Sequence, residues 1–300
     1  MLLECVVNVS EGRDSPVLRA LDAAAGRVLL DRHSDADHHR SVLTLVGSPD
    51  EVEGAVRDLA NVAVSRLDLR THQGVHPRLG VLDVVPFVGF DEPEGSEGPL
   101  RPVAADRPDL TGARDRFGAW AGHELGLPGF AYGPASGRGD GRGDYVTRTL
   151  PEVRREAFGV LPPDWGPPEP HPSAGAVAVG SRGVLVAYNL WLGGDRPGVA
   201  RRLAAAIRGP GVRALGLVVG ARLQVSCNLV DPLTAGPAAV YDRVAELART
   251  LGDEVVGAEL VGLLPAAVLE RVPEDRWVEL DLDAGATLEA RLKDRSLRRR

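Results

Sequence analysis

With 300 residues, 44% of them hydrophobic and 26% charged, the chain has the composition of a soluble globular protein and the length for one large domain or two ordinary ones. No apolar run reaches the roughly 18 to 20 residues of a membrane-spanning helix, and a net charge of -7 argues against a general nucleic-acid surface. Cys5 and Cys227 stand alone in strand-like runs, which predicts two core residues rather than a disulfide framework or a zinc cage.

Leu2 to Val9 is a short apolar run and predicts a strand, with no basic leader or cleavage site, as expected of a cytosolic protein. Ser15-Pro16 predicts a helix start, followed by an apolar stripe at Val17, Leu18, Leu21 and Ala25. Val28 to Leu30 and Val42 to Val46 predict two antiparallel strands joined by the polar segment DRHSDADHHR. Ser48-Pro49-Asp50-Glu51 reads as a capping box, and Val52, Ala55, Val56, Leu59 and Ala63 continue as a second helical stripe. Val81 to Val88 predicts a fourth strand, at an edge or bulge because of Pro86. The order is βαββαβ.

The same order returns in Val184 to Leu192 (strand), Asp195 to Arg208 (helix), Val212 to Val219 and Leu223 to Val230 (strands), Pro237 to Leu251 (helix) and Val255 to Leu264 (strand). The fold class expected is α+β, two tandem ferredoxin-like subdomains with a ligand cleft between them. An extra helix from about Leu110 to Leu125 and a strand near Phe130 lie between the repeats, and Asp164 to Gly175 has the composition of a linker. The expected division falls near Pro172, giving subdomains 1–172 and 173–300. Gly137 to Tyr145 reads as a charged, glycine-rich surface loop, and the terminal RSLRRR as a solvated tail.

Polar residues gather at strand ends in the first repeat: Asn8, Ser10 and Glu11, the Asp31 to Arg40 connection, and His72 to Asp83. His72 and His76 have helical metal-ligand spacing, but Gly74 and Pro77 speak against the helix, so no metal is expected there. His33, Asp35, Asp37, His38 and His39 are metal-friendly too, yet such a hairpin turn is more often simply hydrated. An imidazole at position 76 suits proton transfer near neutral pH, a turn histidine held by Pro77 being the plain alternative. Arg40 and Arg78 suit carboxylate binding, or ion pairing with Asp37 or Asp83. Glu11 fits an active-site acid or a helix-start turn equally well. No Ser-His-Asp order, Walker loop or Rossmann pattern stands in a suitable context.

The motifs ECVVNVSEG (Glu4 to Gly12), DADHHRSVLTLVG (Asp35 to Gly47), HQGVHPRLGVLDVVPF (His72 to Phe87), TRTLPEVR (Thr147 to Arg154), VAYNLWL (Val186 to Leu192), QVSCNLVD (Gln224 to Asp231) and ELVGLLP (Glu259 to Pro265) follow one another along nearly the whole chain. In these the sequence resembles the glutamate formiminotransferase family. The resemblance implies two ferredoxin-like subdomains around a folate tunnel, and transfer of the formimino group of N-formiminoglutamate to N5 of tetrahydrofolate, a co-substrate, in histidine degradation. It implies His76 as the catalytic residue, with substrate and folate contacts at Asn8, Arg40, Arg78, Asp83, Gln224 and Asn228. The family's folate segment corresponds to Gly166 to Gly175, which brings in Ser173 and Gly175; His72 is expected to shape the loop. A cytosolic homodimer without metal is the implied state. Two positions depart from the family pattern: His39 where asparagine is usual, and Trp191 in place of a second asparagine. A formyl donor such as N-formylglutamate, or folate and amino-acid binding without turnover, are the alternatives left open by those departures.

Overall fold

The computed structural model describes residues 1–91, 98–138 and 145–297. The chain divides into two units, Met1–Glu92 with Arg101–Gly183, and Pro93–Leu100 with Val184–Arg300. The first opens with β1 (Leu2–Val9), α1 (Ser15–Ala25), β2 (Leu29–Asp35), β3 (Arg40–Gly47), α2 (Pro49–Arg66) and β4 (Leu82–Asp91). β1 pairs antiparallel with both β3 and β4, and β3 with β2, so the strand order β2-β3-β1-β4 is that of a ferredoxin-like unit.

Local chemistry starts each helix. The Asp14 carboxylate accepts the Val17 N–H at 3.1 Å, so α1 is capped one residue before the predicted Ser15. α2 begins at the predicted capping box, where Glu51 Oε2 accepts the Ser48 N–H at 3.0 Å. The stripes of both helices bury Leu18, Leu21, Val52, Val56 and Leu59 against Cys5, Val7, Leu43 and Leu45 of the sheet. Each such side chain contributes about 1.5 to 3 kcal/mol of apolar burial.

β5 (Arg101–Pro102), α3 (Pro108–Glu124), β6 (Gly129–Arg138), β7 (Tyr145–Arg148), α4 (Leu150–Glu156) and β8 (Val177–Ser181) complete the unit. β8 inserts in parallel between β4 and β6, which extends the sheet to eight strands. Three expectations change as a result. The division lies after Gly183 rather than near Pro172, because β8 belongs to the first sheet. β4 is interior rather than an edge. Pro86 is accommodated because the rungs to β1 step from Cys5–Phe87 to Asn8–Val84, past the residue that has no N–H to give. The stretch from Asp164 is no free linker: Trp165 packs on the first core, its carbonyl oxygen accepts the Gly129 N–H at 3.0 Å, and Asp164 pairs with Arg148 at 2.6 Å.

β2 also runs further than predicted, through Asp35, which leaves only a short turn before β3. The expected loop from Gly137 to Tyr145 lies mostly outside the described residues, and of the terminal tail Arg295 to Leu297 finish the last helix.

The second unit repeats the plan with β9 (Val186–Leu192), α5 (Pro197–Ile207), β10 (Val212–Val219), β11 (Arg222–Leu229), α6 (Pro237–Thr250) and β12 (Val255–Val261), in the order β10-β11-β9-β12. Its own core joins Tyr188, Leu190, Leu203, Val225, Cys227 and Val244. Two short helices, α7 (Ala266–Leu269) and α8 (Leu288–Leu297), follow. Both cysteines are buried and unbridged, as expected of core residues. No helix among the described residues is long and apolar enough to cross a membrane.

Candidate active site

The strand order of the first unit places the end of β1 and the starts of β3 and β4 side by side, and with them Asn8, Arg40 and Asp83. Asp83 is fully buried. Its Oδ2 accepts from Arg40 and from Arg154, each at 2.6 Å, and its Oδ1 accepts the Leu79 N–H at 2.6 Å. Burial opposes the charge of this carboxylate, but Arg40 and Arg154 outweigh it and hold Asp83 well below the usual carboxylate range. Asn8 Oδ1 accepts two further N–H groups of Arg40, at 2.8 and 3.1 Å.

Arg154 is delivered by α4, whose capping box closes when Glu152 Oε2 accepts the Thr149 N–H at 2.6 Å. Its guanidinium also donates to the Pro77 carbonyl oxygen at 3.0 Å, which ties the helix to the histidine loop.

The loop from Thr71 to Gly80 lies against the turn between β2 and β3. His38, His39 and Arg40 are consecutive, and each meets a different residue across the gap. The His38 ring stands edge-on to His76, centroids 6.0 Å apart; the His39 ring stacks on His72; and Arg40 pairs with Asp83. Glycine at position 74 makes this approach possible, since a Cβ there would come within 2.3 Å of the His38 carbonyl oxygen. Gly74→Ala is therefore expected to destabilise the protein by about 1 to 3 kcal/mol and to lower turnover, read by thermal unfolding and initial rates. An unchanged melting curve with full activity would show that the two loops are not packed in this way.

His76 is half-buried, and its Nδ1 lies 2.7 Å from the Pro77 carbonyl oxygen. That bond requires the proton on Nδ1 and leaves the lone pair on Nε2. Burial, together with Arg40 and Arg154, pushes the imidazole pKa down to about 3 against the opposing pull of Asp83, so the ring is neutral at physiological pH. Arg78 donates to His72 Nδ1 at 2.6 Å, to the His76 carbonyl oxygen at 2.7 Å and to the Gly74 carbonyl oxygen. Its hydrogen bonds go to neutral acceptors. Two guanidiniums thus hold one carboxylate, and a third lies beside the neutral imidazole, an arrangement suited to binding further carboxylate groups.

The remaining expected residues fall in two places. Ser173 and Gly175 lie beneath the histidine loop, where the Ser173 carbonyl oxygen accepts the Leu69 N–H at 2.8 Å. Gly175 has φ 72° and packs so closely that a Cβ would come within 2.4 Å of the Leu79 carbonyl oxygen. Gln224 and Asn228 belong to β11 of the second unit, Gln224 buried opposite Trp191 and Asn228 exposed opposite Ala187. Trp191 itself lies under the Arg222 guanidinium, 4.1 Å from its ring centroid. Among the described residues no group of three or more His, Cys, Asp and Glu is arranged to hold a metal ion.

The candidate site residue that sequence reasoning missed is Arg154. The motif TRTLPEVR ends on it, but nothing in its spacing shows that it reaches a carboxylate 71 positions earlier. Glu11 is placed as a turn anchor, with its Oε1 accepting the N–H groups of Arg13 at 2.6 Å and Asp14 at 2.9 Å, and it also faces His39.

Fold and site together define an α+β protein with a neutral histidine set beside an arginine cluster. Residues 2–182 match the family model "Formiminotransferase domain, N-terminal subdomain", and residues 187–274 match "Formiminotransferase domain". The chain belongs to the formiminotransferase family. A glutamate formimidoyltransferase of Streptococcus pyogenes is 33% identical over 293 residues, covering 91% of this chain and 92% of the relative. One of Thermoplasma acidophilum is 31% identical over 312 residues, with 97% of each covered. The formimidoyltransferase-cyclodeaminase of Sus scrofa is 34% identical over 294 residues; these cover 89% of this chain and 51% of that relative, so the chain spans about half its length.

Proposed function

We propose that the chain is a glutamate formimidoyltransferase, moving the formimino group of N-formimino-L-glutamate to N5 of tetrahydrofolate and releasing L-glutamate. The carrying observation is a neutral His76, its Nε2 lone pair defined by the Pro77 bond, beside Arg40, Arg78 and Arg154. The donor is a dicarboxylate and the acceptor carries a glutamyl tail, so the local excess of guanidinium over carboxylate suits both.

In the reaction, N5 attacks the amidine carbon and Nε2 of His76 takes the N5 proton as the tetrahedral intermediate forms. The bond from that carbon to the glutamate nitrogen then breaks, and the same Nε2 returns the proton to the departing amine. A basicity as low as that of the free ring suits poorly a base that must accept a proton. Substrate carboxylates near the arginines offset the positive potential that depresses it, so His76 gains basicity when the donor is bound.

Arg40 and Arg78 are assigned to substrate carboxylates. Asn8, Asp83 and Arg154 hold Arg40 and the loop in place, while Gln224 and Asn228 are assigned to pterin or amidine contacts. Ser173 and Gly175 form the base on which the histidine loop rests. The protein acts as a cytosolic homodimer in histidine degradation and one-carbon metabolism, with tetrahydrofolate as co-substrate and no metal in the chemistry.

The second reading keeps the fold and takes N-formylglutamate as donor; Trp191, standing where the family pattern has an amide, is the observation behind it. Initial rates with the two donors under the same tetrahydrofolate concentration separate the readings. The formimino donor is expected to react faster; a faster formyl donor would replace the proposal.

A further inference from the structure

Around His39 the histidines divide into two bonding states, and their consequence rests on the transferase reading above. His39 has left-handed backbone, φ 49°, at the end of the turn joining β2 to β3. Both of its ring nitrogens face acceptors: Nδ1 lies 3.0 Å from the Gln73 carbonyl oxygen, and Nε2 lies 3.1 Å from Glu11 Oε1. A neutral imidazole has one N–H and satisfies one of these; the imidazolium satisfies both.

His72 lies nearly parallel beneath it, 4.1 Å between centroids and 12° between planes. Its bonding is the reverse. Nε2 is 2.9 Å from the His39 carbonyl oxygen and so carries the proton, while Nδ1 accepts from Arg78 at 2.6 Å. A second proton on His72 would point an N–H at the guanidinium, and this geometry therefore needs His72 neutral. Burial, with the nearby charge of Arg78, lowers its pKa in the same direction. Arg78 in turn donates to the carbonyl oxygen of His76.

We propose that His39, as an imidazolium bound to both Glu11 and the Gln73 carbonyl, is a positioning residue: its anchored ring fixes the turn whose carbonyl oxygen holds His72 in one tautomer and, through Arg78, aims His76. The titratable groups in contact with the His39 ring are Glu11 from the segment after β1 and His72 from the opposite loop, with Arg78 on the far side of His72. His39 touches no reacting atom in this account. It keeps the backbone of the catalytic histidine in register with the arginines.

Two measurements test this. In nitrogen-detected spectra of the histidine rings of the unmodified protein, at a pH where His72 shows a single N–H at Nε2, His39 is expected to show N–H on both nitrogens. His39→Phe keeps a flat ring against His72 and removes both donors. It is expected to lower kcat by roughly 10- to 100-fold with little change in KM for either substrate, as misplacement of a reacting group does. A single N–H on His39 under those conditions, or a His39→Phe enzyme with unchanged kcat, overturns the proposal. The ring spectra decide the protonation pattern even if the protein turns over no formimino donor, in which case it is the transferase reading that fails.

Discussion

Replacing His76 by alanine is expected to lower kcat by about 10²- to 10⁴-fold while affinity for tetrahydrofolate stays within several-fold. The reason lies in the bonding of one ring. Pro77 fixes the Nδ1 proton at 2.7 Å, so the variant loses the only lone pair the loop directs through His76 and loses no guanidinium. Initial rates and binding calorimetry on the two proteins check both halves of the expectation. Normal turnover by His76→Ala would remove His76 from the chemistry, and lost folate affinity would reassign it to binding. The depressed pKa has its own consequence for stability. The folded ring refuses a proton until about pH 3, whereas in the unfolded chain it takes one up below about pH 6.5, so this group costs folding stability as the pH falls through that interval.

Asp83→Ala is expected to produce the larger structural loss, about 3 to 5 kcal/mol, seen as a lower midpoint of thermal unfolding. The carboxylate is fully buried and accepts from Arg40, Arg154 and the Leu79 N–H. Its removal leaves two largely buried guanidiniums facing each other and a backbone donor without its acceptor, an arrangement costlier than the ion pair itself ever gained. Its folded pKa lies below the unfolded value of about 3.9, so the stabilisation is present above that pH and is lost as the pH falls further. Acid unfolding of the unmodified protein is accordingly expected to be steep below about pH 4, and that of Asp83→Ala shallower there. Equal melting points, or superimposed acid transitions, would show that the buried pair contributes little.

Much of this was legible in the residues themselves. The capping box at Ser48 and Glu51, the helical stripes and the alternating strand runs are local signals, and they led to two βαββαβ units because each needs only a few neighbouring residues. β8 was not legible as part of the first sheet. Its partners β4 and β6 lie far back in the chain, and the Gly- and Pro-rich stretch before it resembled a boundary. The site divides in the same way. His76 and Arg78 stand out by residue type beside Pro77, with their roles implied by the family resemblance alone, whereas Arg154 meets Asp83 across 71 positions and His39 stacks on a ring 33 positions away. Strand order creates those contacts, and strand order is not a local property. The two imidazoles of the loop are bonded differently: the Pro77 contact at Nδ1 leaves His76 its Nε2 lone pair, while both nitrogens of His72 are occupied in holding the loop.

The most direct test is to incubate the purified protein with N-formiminoglutamate and tetrahydrofolate and to measure both products in the same sample. Free glutamate and 5-formiminotetrahydrofolate are expected to appear one for one, at a rate that collapses in His76→Ala. Glutamate release without a formimino-folate adduct, or no product while tetrahydrofolate binds, would contradict it.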